Sequence, residues 1–301
     1  MSSPTVHLIS NDNGVGLSTD MQLLEDMLTV AGYTVRRFHW KQTVMPRCDI
    51  AIFLELYNHA LARYADKKIG IFNLEWFPVV WRPYLKTFDQ LWAKSHEAHE
   101  VYRRYGLDAH LTGFMSRDLY DPAVTKTNTC LHLRGKSSLK GTEAVLSAWQ
   151  THKDLPPLTI VSADPLRVPA NVRVLPRIPQ EDLVREMNTH RIHVCPSKSE
   201  GWGHYITEGM STRAVVVTTD ASPMSDHVQP GRGFLVPVRG GMARHMAREY
   251  HVTADDLAQT VRLASSLHPA QRNAVATAAR QYVLDATDAF QNKTLALLKE
   301  L

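Results

Sequence analysis

Two glutamates frame a glycine-broken segment in "SEGWGHYITEGM", Ser199 to Met210. On one unbroken helix Glu200 and Glu208 would lie roughly 80° apart and share a face. Gly201 and Gly203 argue against that, because glycine marks backbone that bends or approaches a ligand closely. The segment therefore predicts Glu200 in a loop and Glu208 on the helix that follows. It sits between two strand-like runs, "RIHVCPS" before it and "AVVVTTD" after it. A glycine-rich turn from strand to helix offers backbone N–H groups at a helix N-terminus, and such a terminus draws phosphate. Ionised carboxylates only accept hydrogen bonds, so the two glutamates suit hydroxyl donors such as those of a sugar or ribose. Amides for a diphosphate beside carboxylates for sugar hydroxyls describe a nucleotide-sugar site. The plain alternative is a solvated pair of acids flanking a structural turn.

The elements that must position these residues alternate. Strand candidates run over Val6–Ser10, Tyr33–Phe38, Asp49–Glu55, Lys68–Asn73 and Leu91–Lys94. A helix-period run covers Met21–Ala31 after the polar turn "NDNGVGLSTD", with Gly32 as its stop. The stretch Arg117–Thr129, "RDLYDPAVTKTNT", has turn residues and little apolar periodicity, and reads as a linker. The pattern then restarts, with strands at Cys130–Leu133, Leu158–Ser162, Val172–Leu175, Ile192–Cys195, Ala214–Thr218 and Phe234–Pro237. Helices are expected at Thr142–Gln150 and Glu181–Asn188, and a helical, Ala-rich tail over Asp255–Leu301 with Thr253 as N-cap. Strands alternating with helices predict an α/β protein of parallel sheets. Two such units joined by a linker imply a ligand cleft between them.

Several longer segments carry a family resemblance. "PSKSEGWGHYITEGMSTRAVVVTTD" resembles the nucleotide-sugar motif of the retaining GT-B glycosyltransferases with the glutamate, seven residues, glutamate signature. "DHVQPGRGFLVP" is similar to that family's downstream acidic residue and glycine turn. "LHLRGKSSLKGTEAVLSAW" is similar to its Arg and Lys-Gly segment, and "GVGLSTDMQLLEDMLTVAGYTV" to the glycine loop and first helix of its acceptor domain. The resemblance implies two Rossmann-like domains facing across a cleft. Residues 1–116 would form the acceptor side and 117–129 a hinge. Residues 130–284 would form the donor side, and helix 285–301 would return to the first domain.

It also implies roles. Glu200 would contact the donor sugar near the reacting carbon, and Glu208 the ribose hydroxyls. Arg134 and Lys140 would neutralise the leaving diphosphate, in place of a metal. Gly201, Trp202, Gly203, His204, Tyr205 and Ile206 would line the donor site, the last three through backbone amides, with Arg177 and Ile178 as further donor contacts. Gly14, Val15 and Gly16 would form an acceptor or phosphate loop, or a tight turn only. Where the family has Gly-x-Pro after the motif helix, this chain reads Arg213-Ala214-Val215. That predicts a helix end turned without glycine, with Arg213 capping the last carbonyls. In place of an acceptor-domain His the chain reads Phe72-Asn73-Leu74-Glu75-Trp76, which makes Glu75 the acceptor-side candidate, with Asn73 beside it. Trp76, Phe77, Trp81 and Tyr84 form either core or an acceptor platform.

Composition narrows the class. The chain has 301 residues, 44% hydrophobic and 21% charged, as expected of a globular protein. No apolar run spans a bilayer and no signal-peptide pattern opens the chain, which predicts a cytoplasmic protein. The three cysteines form neither a disulfide framework nor a zinc pattern. A formal charge of +4 suits anionic ligands.

The leading expectation is a metal-independent retaining glycosyltransferase, moving a hexose or pentose from a UDP- or GDP-sugar to an acceptor hydroxyl, with no tightly bound cofactor. The acceptor stays open among glycan, lipid-linked sugar, protein and modified DNA. The runner-up is a phage-type enzyme that glycosylates hydroxymethylated bases in DNA, although no dense Lys/Arg stripe calls for it. Other readings are a non-catalytic nucleotide-sugar binding protein, an epimerase and a phosphorylase.

Overall fold

The computed structural model describes residues 3–14, 16–135 and 137–301. Val15 of the glycine loop, and Lys136 between Arg134 and Lys140, lie outside the described residues. The chain divides into two compact units. One holds the described residues up to Met115 together with Arg244–Ala247 and Ala286–Leu301; the other holds Ser116–Ala243 and Arg248–Asp285.

In the first unit the chain runs β1 (Thr5–Ser10), α1 (Gly16–Val30), β2 (Thr34–His39), β3 (Cys48–Leu54), α2 (His59–Ala62), β4 (Ala65–Ile71), β5 (Gln90–Ala93), α3 (His96–Arg104) and β6 (His110–Leu111). The strands pair in parallel as a six-stranded sheet in the order β2-β1-β3-β4-β5-β6. Strand β3 reads CDIAIFL and is buried at all but one position. Such a run is what a parallel strand covered on both faces requires. Helix α1 begins five residues before the expected Met21. Its first turn holds Leu17 and Asp20, both buried, within a stretch whose polar residues had read as a turn. Residues 286–301 fill one side of this unit. Phe290 is fully buried, 4.8 Å from the Phe114 ring and 6.4 Å from the Trp92 ring, and Gln90 Nε2 donates to Leu297 O at 3.1 Å.

The chain then runs β7 (Thr127–Leu133), α4 (Thr142–Thr151), β8 (Leu158–Val161), β9 (Val172–Leu175), α5 (Gln180–Thr189), β10 (His190–Cys195), α6 (His204–Ser211), β11 (Val215–Thr219), α7 (Met224–His227), β12 (Phe234–Val236), β13 (Gly240–Arg244), β14 (Ala247–His251), α8 (Ala254–Ser265) and α9 (Pro269–Lys299); these elements form the second unit, apart from Arg244, Ala247 and the part of α9 from Ala286 on, which belong to the first. The six-stranded parallel sheet of the second unit has the order β12-β11-β10-β7-β8-β9. The fold is therefore α/β with two Rossmann-like parallel sheets.

Three local features add to or differ from the sequence pattern. Strand β7 starts at Thr127, inside the segment read as a linker. Its first residues are polar and exposed and carry no apolar alternation to read, yet Thr127 pairs with His190. The tail is two helices. Thr253 Oγ1 caps α8 by accepting from Asp256 N at 3.1 Å, and Pro269 opens α9, where its missing N–H costs nothing. Between β12 and α8 the chain forms an unanticipated two-stranded sheet, β13 with β14. Gly241 permits it, since a Cβ there would sit 2.3 Å from Glu249 O.

Candidate functional site

The second unit gathers the donor-side residues where β10 gives way to α6. Gly203 adopts φ +94° and stands at the N-cap without a side-chain hydrogen bond. The chain can turn there because glycine carries no Cβ to oppose a positive φ. Glu200 lies in the loop before this turn and Glu208 on α6. Gly209 lets the helix lie close on β10, since a Cβ there would come 2.6 Å from His193 Nδ1.

Glu200 is the centre of a bonded chain. Its Oε1 accepts from Lys140 Nζ at 2.6 Å and from Ser197 Oγ at 2.5 Å. Ser197 also hydrogen-bonds the Tyr205 hydroxyl, and Lys140 Nζ stands 3.9 Å from the Tyr205 ring centroid. Side-chain exposure is only 17% at Lys140 and 12% at Glu200, so this ion pair is far from freely solvated. Burial pushes the Tyr205 phenol well above its ordinary range.

Lys140 is delivered by a short 3-10 turn, Ser138–Lys140, that is locked to the motif loop. Lys198 N donates to Leu139 O at 2.7 Å. Gly141, at φ +67°, packs so tightly that a Cβ would sit 2.0 Å from Pro196 O. On its other side the loop is held by Tyr250 N of β14, which donates to Lys198 O at 2.7 Å.

The remaining candidates divide. Arg134 follows β7, and its Nη1 reaches Asp164 Oδ2 at 2.6 Å and Ser162 Oγ at 3.1 Å. Trp202 is a packing residue. Its indole N–H donates to Ser116 Oγ at 2.9 Å, and its ring lies edge-on to His227 with centroids 4.2 Å apart. Gly201 occupies the bend before it, and His204 is the first residue of α6. The Ile206 amide is spent inside the turn on Gly203 O at 2.8 Å, so it is not available to a ligand as expected. Arg177 and Ile178 lie in the turn between β9 and α5, the first exposed and the second half-buried.

Arg213 does not cap the carbonyls of α6. It takes φ +60° itself, the left-handed conformation that a glycine would ordinarily supply. Its guanidinium reaches α9 instead, at Asn273 Oδ1 (2.6 Å) and Thr277 Oγ1 (2.8 Å).

In the first unit, Glu75 is buried in the turn after β4, and its carbonyl accepts from Arg244 Nε at 3.1 Å. Asn73 bridges two groups that sequence reasoning missed. Its amide donates to Glu55 Oε2 at 3.1 Å, and its Oδ1 accepts from Lys94 Nζ, also at 3.1 Å. Lys94 is paired in turn with buried Asp20 at 2.5 Å. Burial raises the Glu55 carboxyl above its usual range. Phe77 is core, whereas Trp76 is 38% and Tyr84 42% exposed. The Gly14 amide donates to Ser18 Oγ at 2.7 Å and to Asp12 Oδ1 at 3.2 Å, so it is used within its own loop. Gly16 is the first residue of α1.

Three buried histidines underlie the second unit's site. His132 donates from Nδ1 to Val194 O, and His193 from Nε2 to Met187 O. His227 donates from Nε2 to Trp202 O and meets the Tyr282 hydroxyl at Nδ1. Burial lowers their pKa values to about 4, about 3 and about 4. The unfolded chain binds these protons near pH 6.5, so between that pH and about 4 it holds more protons than the folded unit. Stability from these groups is full above pH 6.5 and is lost as the pH falls. The second unit should therefore melt markedly lower at pH 5 than at pH 7.5, and replacing His132 by Gln should shrink that difference. An unchanged difference would mean that His132 is not among its sources.

Residues 160–249, from β8 through most of β14, match the family model described as glycosyl transferases group 1. A search of curated proteins gives no match. Among solved structures the chain is similar to sucrose-phosphate synthase from Thermosynechococcus elongatus, with TM-score 0.74 and 14% identity over 99% of this chain and 98% of that one. It is similar to a glycosyltransferase from Rickettsia africae, with TM-score 0.75 and 15% identity over 100% and 99%. It also resembles HepE of Anabaena in complex with UDP and glucose, with TM-score 0.74 and 14% identity over 99% and 100%. Among the described residues no helix is long and apolar enough to cross a membrane. Residues 160–249 thus form a group 1 glycosyl transferase segment, carried by a chain whose two Rossmann-like sheets have the fold of GT-B glycosyltransferases.

Proposed function

We propose that this glycosyltransferase moves a sugar from a nucleoside diphosphate sugar to an acceptor hydroxyl with retention of anomeric configuration and without a metal. The observation that carries the reading is the Lys140–Glu200 pair at the mouth of α6, with Glu208 on the same helix. Breaking a sugar–phosphate bond puts negative charge on the leaving diphosphate and positive charge on the sugar. Lys140 and the N-terminus of α6 oppose the first, and the Glu200 carboxylate opposes the second. A cation fixed by packing does what a divalent ion would otherwise do. Glu208 accepts from ribose hydroxyls, and Arg134 gives a second, outer positive charge. The similarity to HepE, whose structure holds UDP and glucose, supports a uridine donor. On the acceptor side we assign the turn Asn73–Trp76, because α/β sheets bind ligands beyond the carboxyl ends of their strands and this turn follows β4.

Thermal shift and turnover with UDP-glucose and GDP-mannose in EDTA test the reading. Donor at a hundred times its Kd should stabilise the protein by about 2.7 kcal/mol. NMR of the product should show the donor's anomeric configuration. Should no nucleotide sugar shift the melting transition or be consumed, the donor reading fails. An inverted product or an EDTA-sensitive rate would remove retention or metal independence alone.

A further inference from the structure

The segment Ser116–Asp121 has no regular secondary structure, yet it is bonded along its length to helices of the second unit. Ser116 Oγ donates to Thr207 Oγ1 at 2.7 Å, and Leu119 N to Ser211 Oγ at 3.0 Å, both on α6. Asn188 of α5 brackets the chain, donating to Leu119 O at 2.7 Å and accepting from Asp121 N at 2.9 Å. Asp118 pairs with Arg280 at 2.5 Å, and the Tyr120 ring lies 4.8 Å from Arg280 and 5.6 Å from Arg213. Within this splint Arg117 reaches the motif helix. Its Nε lies 2.7 Å and its Nη2 2.5 Å from the same atom, Glu208 Oε1. Glu208 is 6% exposed, and its Oε2 has no hydrogen-bond partner among the described residues.

We propose that Arg117 is a positioning residue that dedicates Oε1 of Glu208 to itself and leaves Oε2 alone to read the nucleotide, so that a single ribose hydroxyl carries the recognition. The inference rests on Glu208 being the ribose contact of the proposed donor site. An ionised carboxylate accepts at both oxygens. With both oxygens free it can take the two neighbouring hydroxyls of a ribose together. With Oε1 held by two N–H groups of a planar guanidinium, its orientation is fixed and one oxygen remains. A buried carboxylate so fixed presents one acceptor at one place. Without Arg117 it would lose both its countercharge and its orientation.

Calorimetry with UDP, 2′-deoxy-UDP and 3′-deoxy-UDP tests this on the full chain, with the GDP series used if UDP does not bind. The wild-type protein should lose on the order of tenfold in affinity for one deoxy nucleotide, the expected worth of one hydrogen bond to a charged group, and little for the other. Arg117→Ala should bind UDP on the order of tenfold more weakly and should no longer favour one deoxy nucleotide over the other. Arg117→Lys, which keeps the charge but not the fork, should recover part of the affinity and little of the discrimination. A merely structural role would lower all three affinities and keep their ranking. If Arg117→Ala does not fold, Arg117→Gln carries the same comparison. An Arg117 variant that keeps the wild-type ranking, or binds UDP more tightly, overturns the inference and leaves the donor reading standing. Equal losses for both deoxy nucleotides in the wild type overturn it too. A wild-type protein that binds neither UDP nor GDP overturns the donor reading and the inference with it.

Discussion

Replacing Lys140 by alanine should lower turnover at saturating donor by on the order of 10²–10³-fold, the range found on removing one preorganised charge-stabilising donor from an active site. Donor affinity should fall far less. In the free protein the ammonium is already satisfied by Glu200 at 2.6 Å and by the face of Tyr205. A ground-state diphosphate therefore gains only part of its charge. In the proposed mechanism, negative charge grows on the leaving oxygen and positive charge beside Glu200 as the sugar–phosphate bond breaks, so each member of the pair would find a stronger partner than before. An interaction that strengthens on the way to the transition state appears in kcat, while uniform binding appears in KM.

The same reasoning separates Lys140 from Arg134. The Arg134 side chain is 30% exposed and its partner Asp164 70% exposed. A group so solvated and already paired has less to give, and Arg134→Ala should cost turnover roughly tenfold or less. Lys140→Arg should not restore the wild-type rate, because a planar fork does not occupy the place of a compact ammonium over the Tyr205 ring. Steady-state kinetics over a donor series decide the matter. A Lys140→Ala enzyme with an unchanged kcat and a weakened donor Kd would reduce the residue to a substrate clamp.

What the sequence made legible follows the strength of its local signals. Buried parallel strands announce themselves, since "CDIAIFL" and "AVVVTTD" have no other plausible use, and both are strands near the expected limits. The placement of Glu200 in a loop and Glu208 on a helix was legible because two glycines interrupt an otherwise helical stretch. Arg117 was not legible as a partner of Glu208. It opens a polar run without periodicity, and its partner is 91 residues away, so nothing local points to it. Polar segments are read as linkers because they lack apolar pattern, but a splint held by hydrogen bonds needs none.

Arg213 misled for a related reason. A helix end without glycine predicts a side chain turned back on its own helix. The backbone instead takes the left-handed turn with arginine in place, and two hydrogen bonds to α9 offset a cost of roughly 1 kcal/mol. Glu55, Asn73, Lys94 and Asp20 of the first unit fall at the ends or interiors of separate elements, and only the folded sheet brings them into one chain of hydrogen bonds.

Gly141→Ala should destabilise the second unit by about 2–5 kcal/mol, the sum of a left-handed residue's penalty and an overpacked contact. Both parts are visible at one position, where φ is +67° and a Cβ would lie 2.0 Å from the carbonyl oxygen of Pro196. That oxygen cannot step aside cheaply. Pro196 begins the loop that leads to Glu200, and Lys198 in the same loop is bonded to Leu139 on one side and Tyr250 on the other. Gly135 provides the control. It has φ +60° and no atom within 4 Å of its missing Cβ, so Gly135→Ala carries the conformational strain without the collision and should cost only about 1–2 kcal/mol. Scanning calorimetry of the two variants thus isolates the contact between the Lys140 turn and the motif loop. The contact has a functional side, because Lys140 is the residue before Gly141 and must reach Glu200 from this turn. A Gly141→Ala protein that still folds should show a turnover loss approaching that of Lys140→Ala, while Gly135→Ala should keep most of its rate. Equal stability losses in the two variants, with turnover intact in both, would mean that the loop yields at Pro196 and that the lock on Gly141 does not hold Lys140 in place.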